Sequence, residues 1–532
     1  MLSIKAKVMA LFKIIGIVSV FLVLGFNVEF FSNVLKVYPI SIHNIGFLFS
    51  LCIVLASVIF IVLTLFSVKY VTKVLLMFVL IVSSLSAYFM DTYHIIIDDT
   101  MIQNMLQTDL SESIDLFSFK LILYLFFLGL LPSYLIYKVD IKYYSFFKEL
   151  LIRLKYIAIA AILIVVSLSS FGKHYSSFFR EHKSLRYSTN PTYWIYSSGE
   201  YIYNRFLKTK LHFKHIGLDA KIQKHKIPKL IIMVVGEALR ADHMSLNGYT
   251  KDTNSFLSKD DVLNFSNFYS CATSTAQSVP CMFSIMGRKE YDYDKAQNMD
   301  NVLDILNHTN SVKILWRDNN SDSKGVALRV QYQNYKTPKN NTVCDSECRD
   351  EGMLIGLDKF VDSTSHKDIL IILHQMGNHG PAYYKRSPQA YKKFQDECKT
   401  NQLEECSKEQ IANAYDNAIV YTDYFLHKAI SWLKQHSANY KCGLIYMSDH
   451  GESLGEGGVY LHGLPYWVAP QAQKHIASLM WFDDNLSKDV DVYALKHKLS
   501  SKYSHDNLFH TLLGLFNVQT QVYDKKLDIL AK

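Results

Sequence analysis

Long, predominantly apolar stretches fill the first third of the chain. Short apolar runs separated by amphipathic segments fill the rest. Five apolar stretches, roughly 11–31, 45–67, 71–90, 118–137 and 154–171, each approach the ~20 residues that a bilayer-spanning helix needs. They are apolar all round rather than along one stripe, which argues against surface helices of a soluble domain. Residues 173–228 mix aromatic and basic positions (KHYSSFFREHKSLRY at their start), the pattern of helices lying on a membrane surface. From 229 onward the runs KLIIMVV (229–235), VKILW (312–316), DILIILH (368–374) and GLIYMS (443–448) are short and rich in β-branched residues, which predicts buried strands. The stretch 405–436 predicts an intervening amphipathic helix. The expected organisation is a membrane anchor of five transmembrane helices over 1–172 and bridging interfacial helices over 173–228. An α/β domain with a mainly parallel sheet then occupies 229–532.

Charge gives this anchor a direction. Lys5, Lys7 and Lys13 lie at the start of the chain, Lys69 and Lys73 in the second loop, and Lys138, Lys142, Lys148, Arg153 and Lys155 in the fourth. The first loop has only Lys36, and the third, residues 91–116, has no Lys or Arg. The bias predicts a cytoplasmic N-terminus and an exported α/β domain, with the third loop on the exported side and available to a lipid-entry cleft. The net charge of +8 suits an anionic membrane surface. No nucleic-acid motif accompanies it, and nucleic acid is not an expected partner. Cysteine usage agrees with export. Cys52 and Cys442 read as inert core thiols. The other six form close pairs, Cys271/Cys281, Cys344/Cys348 and Cys398/Cys406. Six cysteines permit ~15 connectivities, of which pairing of neighbours is the simplest in an oxidising compartment.

The residues just past each predicted strand point to chemistry. The first run ends in Gly236-Glu237, the second in Arg317-Asp318-Asn319-Asn320, the third in His374 with His379 beyond it, and the fourth in Asp449-His450-Gly451-Glu452. In open α/β sheets, sites form at the carboxyl ends of the strands. Glu237, Asp449 and His450 offer two carboxylates and an imidazole, a donor set that suits tetrahedral zinc once a fourth oxygen is added. That oxygen would come from YSCATSTAQSVPCMFSIMG (269–287), a hydroxyl-rich loop bracketed by Cys271 and Cys281. Thr275 is the candidate nucleophile there and Thr273 its rival; either hydroxyl needs a base or a metal to be activated. Asn320 and Lys324 could hold phosphate oxygens, and His379 and His462 could exchange protons with an attacking or leaving oxygen. His374 would stand behind them. His308 and His475 have no such context and read as surface or core residues.

Five stretches, VVGEALRADHMSLNGY, CATSTAQSVPCMFS, WRDNNSDSKG, LHQMGNHGPAYY and MSDHGESLGEGGVYLHG, resemble the motifs of the lipid A phosphoethanolamine transferases. That family belongs to the alkaline-phosphatase and sulfatase superfamily and includes the colistin-resistance enzymes. The resemblance implies an α/β/α alkaline-phosphatase-like domain in the periplasm on a multi-pass inner-membrane anchor. It also implies Thr275 as the nucleophile that carries phosphoethanolamine, and Glu237, Thr275, Asp449 and His450 as zinc ligands. Asn320, Lys324, His379 and His462 match positions for substrate phosphate or a second zinc, with Glu452 assisting. The implied donor is phosphatidylethanolamine and the implied acceptor a lipid A phosphate of lipopolysaccharide, with lowered susceptibility to polymyxins as the consequence. The chain is expected to act as a monomer. Transfer to a core sugar, glycan or protein, or transfer of phosphoglycerol, would use the same centre. The Cys344–Cys348 spacing, CDSEC, is tighter than the family pattern. A sulfatase would need a C/S-x-P-x-R stretch, which is missing around Thr275. An inert membrane scaffold would not need all four metal-site positions.

Overall fold

A computed structural model describes residues 8–108, 113–114, 116–180, 182–207, 211–223, 226–364 and 367–531. Lys5 and Lys7, and residues 109–112 and 115 of the third loop, lie outside the described residues. The chain divides into two compact units. One comprises Met1–Ile102 with Phe117–Lys208, the other Gln103–Leu116 with Thr209–Lys532.

In the first unit, Ile45–Phe66, Thr72–Tyr93, Phe119–Lys138 and Phe146–Ser170 are each long and apolar enough to cross a bilayer. The first expected stretch is two helices, Leu11–Phe26 and Val28–Val37, bent by 63°. Asn27 explains the bend. Its amide donates to Leu22 O and Asn190 O and accepts from Asn190 N, so a buried side chain replaces the helical ladder at the break. A short parallel pairing of Val8–Ala10 with Asp140–Lys142 brings the chain before the first helix beside the chain after the fourth. Counted as one span, the bent pair raises the number of helical segments long and apolar enough to cross from four to five. Arg153 donates to Thr64 O and Lys73 to Tyr137 O at that same end. The lysine-rich segments therefore gather on one side, as their charge pattern predicts.

The second unit is built on a seven-stranded sheet. Its strands are β1 (Lys229–Gly236), β2 (Leu263–Asn264), β3 (Val312–Asp318), β4 (Gln331–Asn334), β5 (Asp368–His374), β6 (Lys441–Ser448) and β7 (Ser478–Phe482), in the spatial order β2-β7-β6-β1-β5-β3-β4. Pairings from β6 through β4 are parallel, and those of β7 with β6 and β2 are antiparallel. The mainly parallel sheet expected from the four apolar runs is present, with an antiparallel edge. Successive side chains of a strand face opposite sides. Ile231, Met233 and Val235 of β1 join Ile314 and Trp316 of β3 in one layer with Val279, Met282 and Phe283 of helix α1 (Thr275–Phe283) and Val302–Leu306 of helix α2 (Val302–His308). Helix α3 (Lys408–His436), started by a Ser407–Gln410 capping box, packs on β6. Cover on both faces is why these strands read as mostly apolar runs rather than alternating ones.

Register decides where the chemistry sits. Gly236 pairs with Ser448, Val235 with His374, and His374 with Asp318. The four strands thus end level, and the residues just beyond them meet at one edge.

Candidate active site

Glu237, Asp449 and His450 leave the ends of β1 and β6 and are fully buried; Thr275 begins α1 and is 9% exposed. Thr275 Oγ1 donates to Glu237 Oε2 at 3.2 Å and lies 3.3 Å from His450 Nε2. That nitrogen is 3.4 Å from Glu237 Oε1 and 3.4 Å from Asp449 Oδ2. Ser274, in extended conformation, turns the chain into α1, so the Thr275 hydroxyl stands at the positive end of a helix dipole, where oxyanions are favoured.

Each donor is fixed from behind. Asp449 Oδ1 accepts from the backbone of Ala238 and His450, at 3.1 and 2.7 Å, while its Oδ2 accepts no hydrogen bond among the described residues. His450 Nδ1 donates to Gly451 O at 2.9 Å, which leaves the Nε2 lone pair aimed into the cluster. Burial pushes the Asp449 carboxyl up and holds the His450 imidazole well below its ordinary value. Burial thus disfavours the charged form of each. A divalent ion reverses the preference of Asp449 and needs the neutral imidazole. Oxygen and nitrogen donors ~2.0–2.2 Å from one zinc sit ~3.3–3.6 Å apart at tetrahedral corners. The four contacts of the cluster run from 3.2 to 3.4 Å, so the residues present fit such an ion.

The structure places the remaining expected residues in two settings. Asn320 is buried behind Glu237. Its Nδ2 donates to Glu237 Oε2 at 2.8 Å and to Gln375 O at 2.7 Å, and its Oδ1 accepts from Ser321. Both amide hydrogens are therefore taken up within the protein. Lys324 is nearly buried in a left-handed turn, its Nζ donating to Ser321 O. In the other setting, buried Glu452 accepts from Tyr383 Oη at 2.7 Å and pairs with partly exposed His462 through Nδ1 at 2.9 Å. The His462 ring lies 4.1 Å from that of His450 and 5.9 Å from that of His379. Burial, with Arg386 and His462 close by, keeps His379 neutral to well below the ordinary histidine range. His450, Glu452 and His462 also bring ligand atoms within 4.8 Å of one another. His374 stands behind the cluster, paired with Asp318, itself held by Trp316.

Three supports have roles that their residue types do not announce, although Ser278 and Gly377 lie within the quoted motifs. His505 Nε2 donates to Ser448 O, and its Nδ1 accepts from Cys271 N at 3.0 Å. Ser278 of α1 donates to Asp449 O. Together with the Cys271–Cys281 disulfide, these join the hydroxyl-bearing loop to the end of β6. Gly377 is the third. Its φ is +48°, and a Cβ there would lie 3.0 Å from Glu237 Cβ and O, so only glycine lets the loop after β5 cross the Glu237 backbone. Cys344–Cys348 and Cys398–Cys406 are also bridged, while Cys52 and Cys442 are free. The neighbour pairing is thus the one present. Gln277 of α1 donates to Gln103, within the segment 103–116 that groups with this unit.

Comparison with known proteins gives the same picture over the whole chain. A family model described as "Phosphoethanolamine transferase EptA/EptB" matches residues 55–206, and one described as "Sulfatase" matches 229–518. The chain is 44% identical to phosphatidylethanolamine transferase Mcr-1 of Escherichia coli over 95% of both chains. It is 40% identical to phosphoethanolamine transferase EptA of E. coli K12, over 95% of this chain and 93% of that one. The solved integral membrane lipooligosaccharide phosphoethanolamine transferase A of Neisseria meningitidis matches with a TM-score of 0.94 at 33% identity, covering 99% of each chain. From its membrane helices, its sulfatase-type domain and these relatives, the chain belongs to the EptA/Mcr family of phosphoethanolamine transferases.

Proposed function

We propose that the protein transfers phosphoethanolamine from phosphatidylethanolamine through Thr275 to a lipid A phosphate of lipopolysaccharide. The observation that carries this reading is the Thr275 hydroxyl, set at a helix N-terminus between Glu237 and His450. Names of relatives support the two substrates: one is a phosphatidylethanolamine transferase, another a lipooligosaccharide phosphoethanolamine transferase.

Zinc held by Glu237, Thr275, Asp449 and His450 would supply Lewis-acid charge, lowering the pKa of the hydroxyl and offsetting charge on the phosphoryl oxygens. Thr275 Oγ1 attacks phosphorus, the Oγ1–P bond forms, and the P–O bond to diacylglycerol breaks. The threonine proton leaves toward Glu237 Oε2, its acceptor at 3.2 Å. His462, positioned through Nδ1 by Glu452, protonates the departing diacylglycerol oxygen, with His379 beside it. Lys324 and the α1 N-terminus meet the charge of the transferring group. An oxygen of the acceptor phosphate then attacks the same phosphorus as the P–Oγ1 bond breaks; Thr275 recovers its proton from Glu237, and the acceptor's hydroxyl proton returns to His462. Asn320 acts by holding Glu237. His379 and His462 are also the residues that would accept a second zinc. Each transfer adds an ammonium to an anionic headgroup, which weakens the attraction of cationic polymyxins.

The charge pattern sets the lysine-rich end of the anchor, and the N-terminus, in the cytoplasm of the inner membrane. The catalytic unit is periplasmic, where both lipids are within reach of a monomer. The test is to incubate the purified protein with phosphatidylethanolamine and map modified peptides by mass spectrometry, with Thr275→Ala beside it. A phosphoethanolamine adduct on Thr275, absent from the variant and after chelation, is the expected result. No adduct and no released diacylglycerol from zinc-loaded protein would refute the donor and make phosphoglycerol transfer the next reaction to try. Lipid A from cells with and without the protein, compared by mass, tests the acceptor.

A further inference from the structure

Outside the active site, one other group of potential ligands converges among the described residues: His215, Asp300 and His308, whose donor atoms all lie within 4.8 Å of one another. Asp300 is 2% exposed. Its Oδ2 accepts from Ile216 N at 3.0 Å and lies 3.0 Å from His215 Nδ1 and 4.0 Å from His308 Nε2. Its Oδ1 is buried and accepts no hydrogen bond among the described residues. A buried carboxylate oxygen without a donor is costly, and here it belongs to a group flanked by two imidazoles. Arg329 does not meet this need, because its guanidinium is engaged by both oxygens of Asp304.

We propose that His215, Asp300 and His308 form a separate zinc-class metal site that fastens the segment 211–217 to α2. Two imidazoles and a carboxylate are ligands that zinc accepts, with water completing the set as in three-ligand sites. The separations of 3.0 and 4.0 Å bracket the ~3.3–3.6 Å edge of a tetrahedron built on ~2.0–2.2 Å bonds. The side chain of His308 is 24% exposed and that of His215 58%, so the rings can adjust and an ion can enter from solvent. Two neutral imidazoles and one carboxylate leave the bound ion a single net positive charge. The backbone is already arranged for the purpose. Lys214 N donates to Asn298 O and Asp300 N to Lys214 O, so the segment carrying His215 runs beside the one carrying Asp300. His308 is the last residue of α2. The site would act on local order rather than on the transfer reaction, and it does not depend on the catalytic reading above.

The test uses the full-length protein in detergent, stripped with a chelator, dialysed against zinc salt and counted for metal by mass spectrometry. His215→Ala/His308→Ala should hold one zinc fewer per chain than the parent. Because His215 is more than half exposed, His215→Ala alone spares the core and supplies a second reading. Zinc should slow tryptic cleavage after Lys214 in the parent and not in that variant. Equal zinc content in parent and double variant, or cleavage after Lys214 that zinc leaves unchanged in the parent, overturns the proposal.

Discussion

Asn320 separates two accounts of the same site. Asparagine after a strand reads from sequence as a phosphate ligand, whereas the structure gives both its amide hydrogens to Glu237 and the Gln375 carbonyl. Asn320→Ala removes a hydrogen bond to a buried carboxylate, worth ~1.5–3 kcal/mol. At ~1.4 kcal/mol per tenfold, the loss converts to roughly 10- to 100-fold, the range expected when a group that orients a metal ligand is removed. If Asn320 acts by positioning Glu237, that loss falls on zinc affinity and on kcat, while KM for phosphatidylethanolamine stays near the parent value. If Asn320 holds substrate phosphate, KM rises and zinc affinity is unchanged. Competition with a chromogenic chelator reads the affinity, and diacylglycerol release at saturating zinc reads kcat and KM separately. The opened Gln375 carbonyl adds a stability cost of ~1–3 kcal/mol, so rates are compared below the lowered Tm. Parent-like zinc affinity with a raised KM would refute the positioning argument.

Gly377→Ala places a methyl group 3.0 Å from Glu237 Cβ at a φ of +48°. It should cost at least ~1 kcal/mol in stability and, by displacing Glu237, weaken zinc binding. An unchanged Tm and zinc affinity would show that the loop relaxes freely. Opening the Cys271–Cys281 bridge by Cys271→Ser/Cys281→Ser should lower stability by ~2–3 kcal/mol from loop entropy, read in a denaturant titration of oxidised protein. An undiminished midpoint would mean that α1 is held by its other contacts alone. His505 titrates at about 4 because burial excludes its charged form, against an unfolded value of ~6.5. Its folded pKa is depressed, so the stability of its neutral form is complete above the unfolded pKa. That stability drains as pH falls toward the folded pKa, for a total of ~3 kcal/mol. His505→Gln should flatten the fall in Tm between those two values; an equal fall in both proteins would assign the acid sensitivity elsewhere.

Strands β1, β3, β5 and β6 are legible in the sequence for the same reason that they are buried. With cover on both faces their central positions are mostly apolar, and the brevity and β-branched content of the runs favour strand over buried helix. The antiparallel edge is not legible, since β7 is only five residues long and β2 two. Their pairing is decided by neighbours far away in the chain. The bend at Asn27 is hidden too. A single polar residue in an apolar stretch reads as tolerated until its partner is known, and the partner, Asn190, is 163 residues away.

In the site, legibility stops at the same boundary. Glu237, Asp449 and His450 announce themselves because each comes directly after a strand, and parallel register then carries strand ends to one edge whatever else the chain does. Their supports obey no such rule. Asn320 sits just past a strand end and reads as facing a substrate, yet Glu237 lies opposite it and captures its donors. His505 comes after a two-residue strand, Tyr503–Ser504, of a separate small sheet, and reaches Ser448 and Cys271 only in the folded state. His308 reads as a surface or core residue until Asp300 and His215 are seen beside it. A ligand's chemistry is written in its own residue type, while a support's role is written in the shape of its surroundings. Substitutions of Asn320, Gly377 and His505 should therefore alter metal affinity and stability by graded amounts, whereas loss of Thr275, the proposed nucleophile, should end the reaction outright.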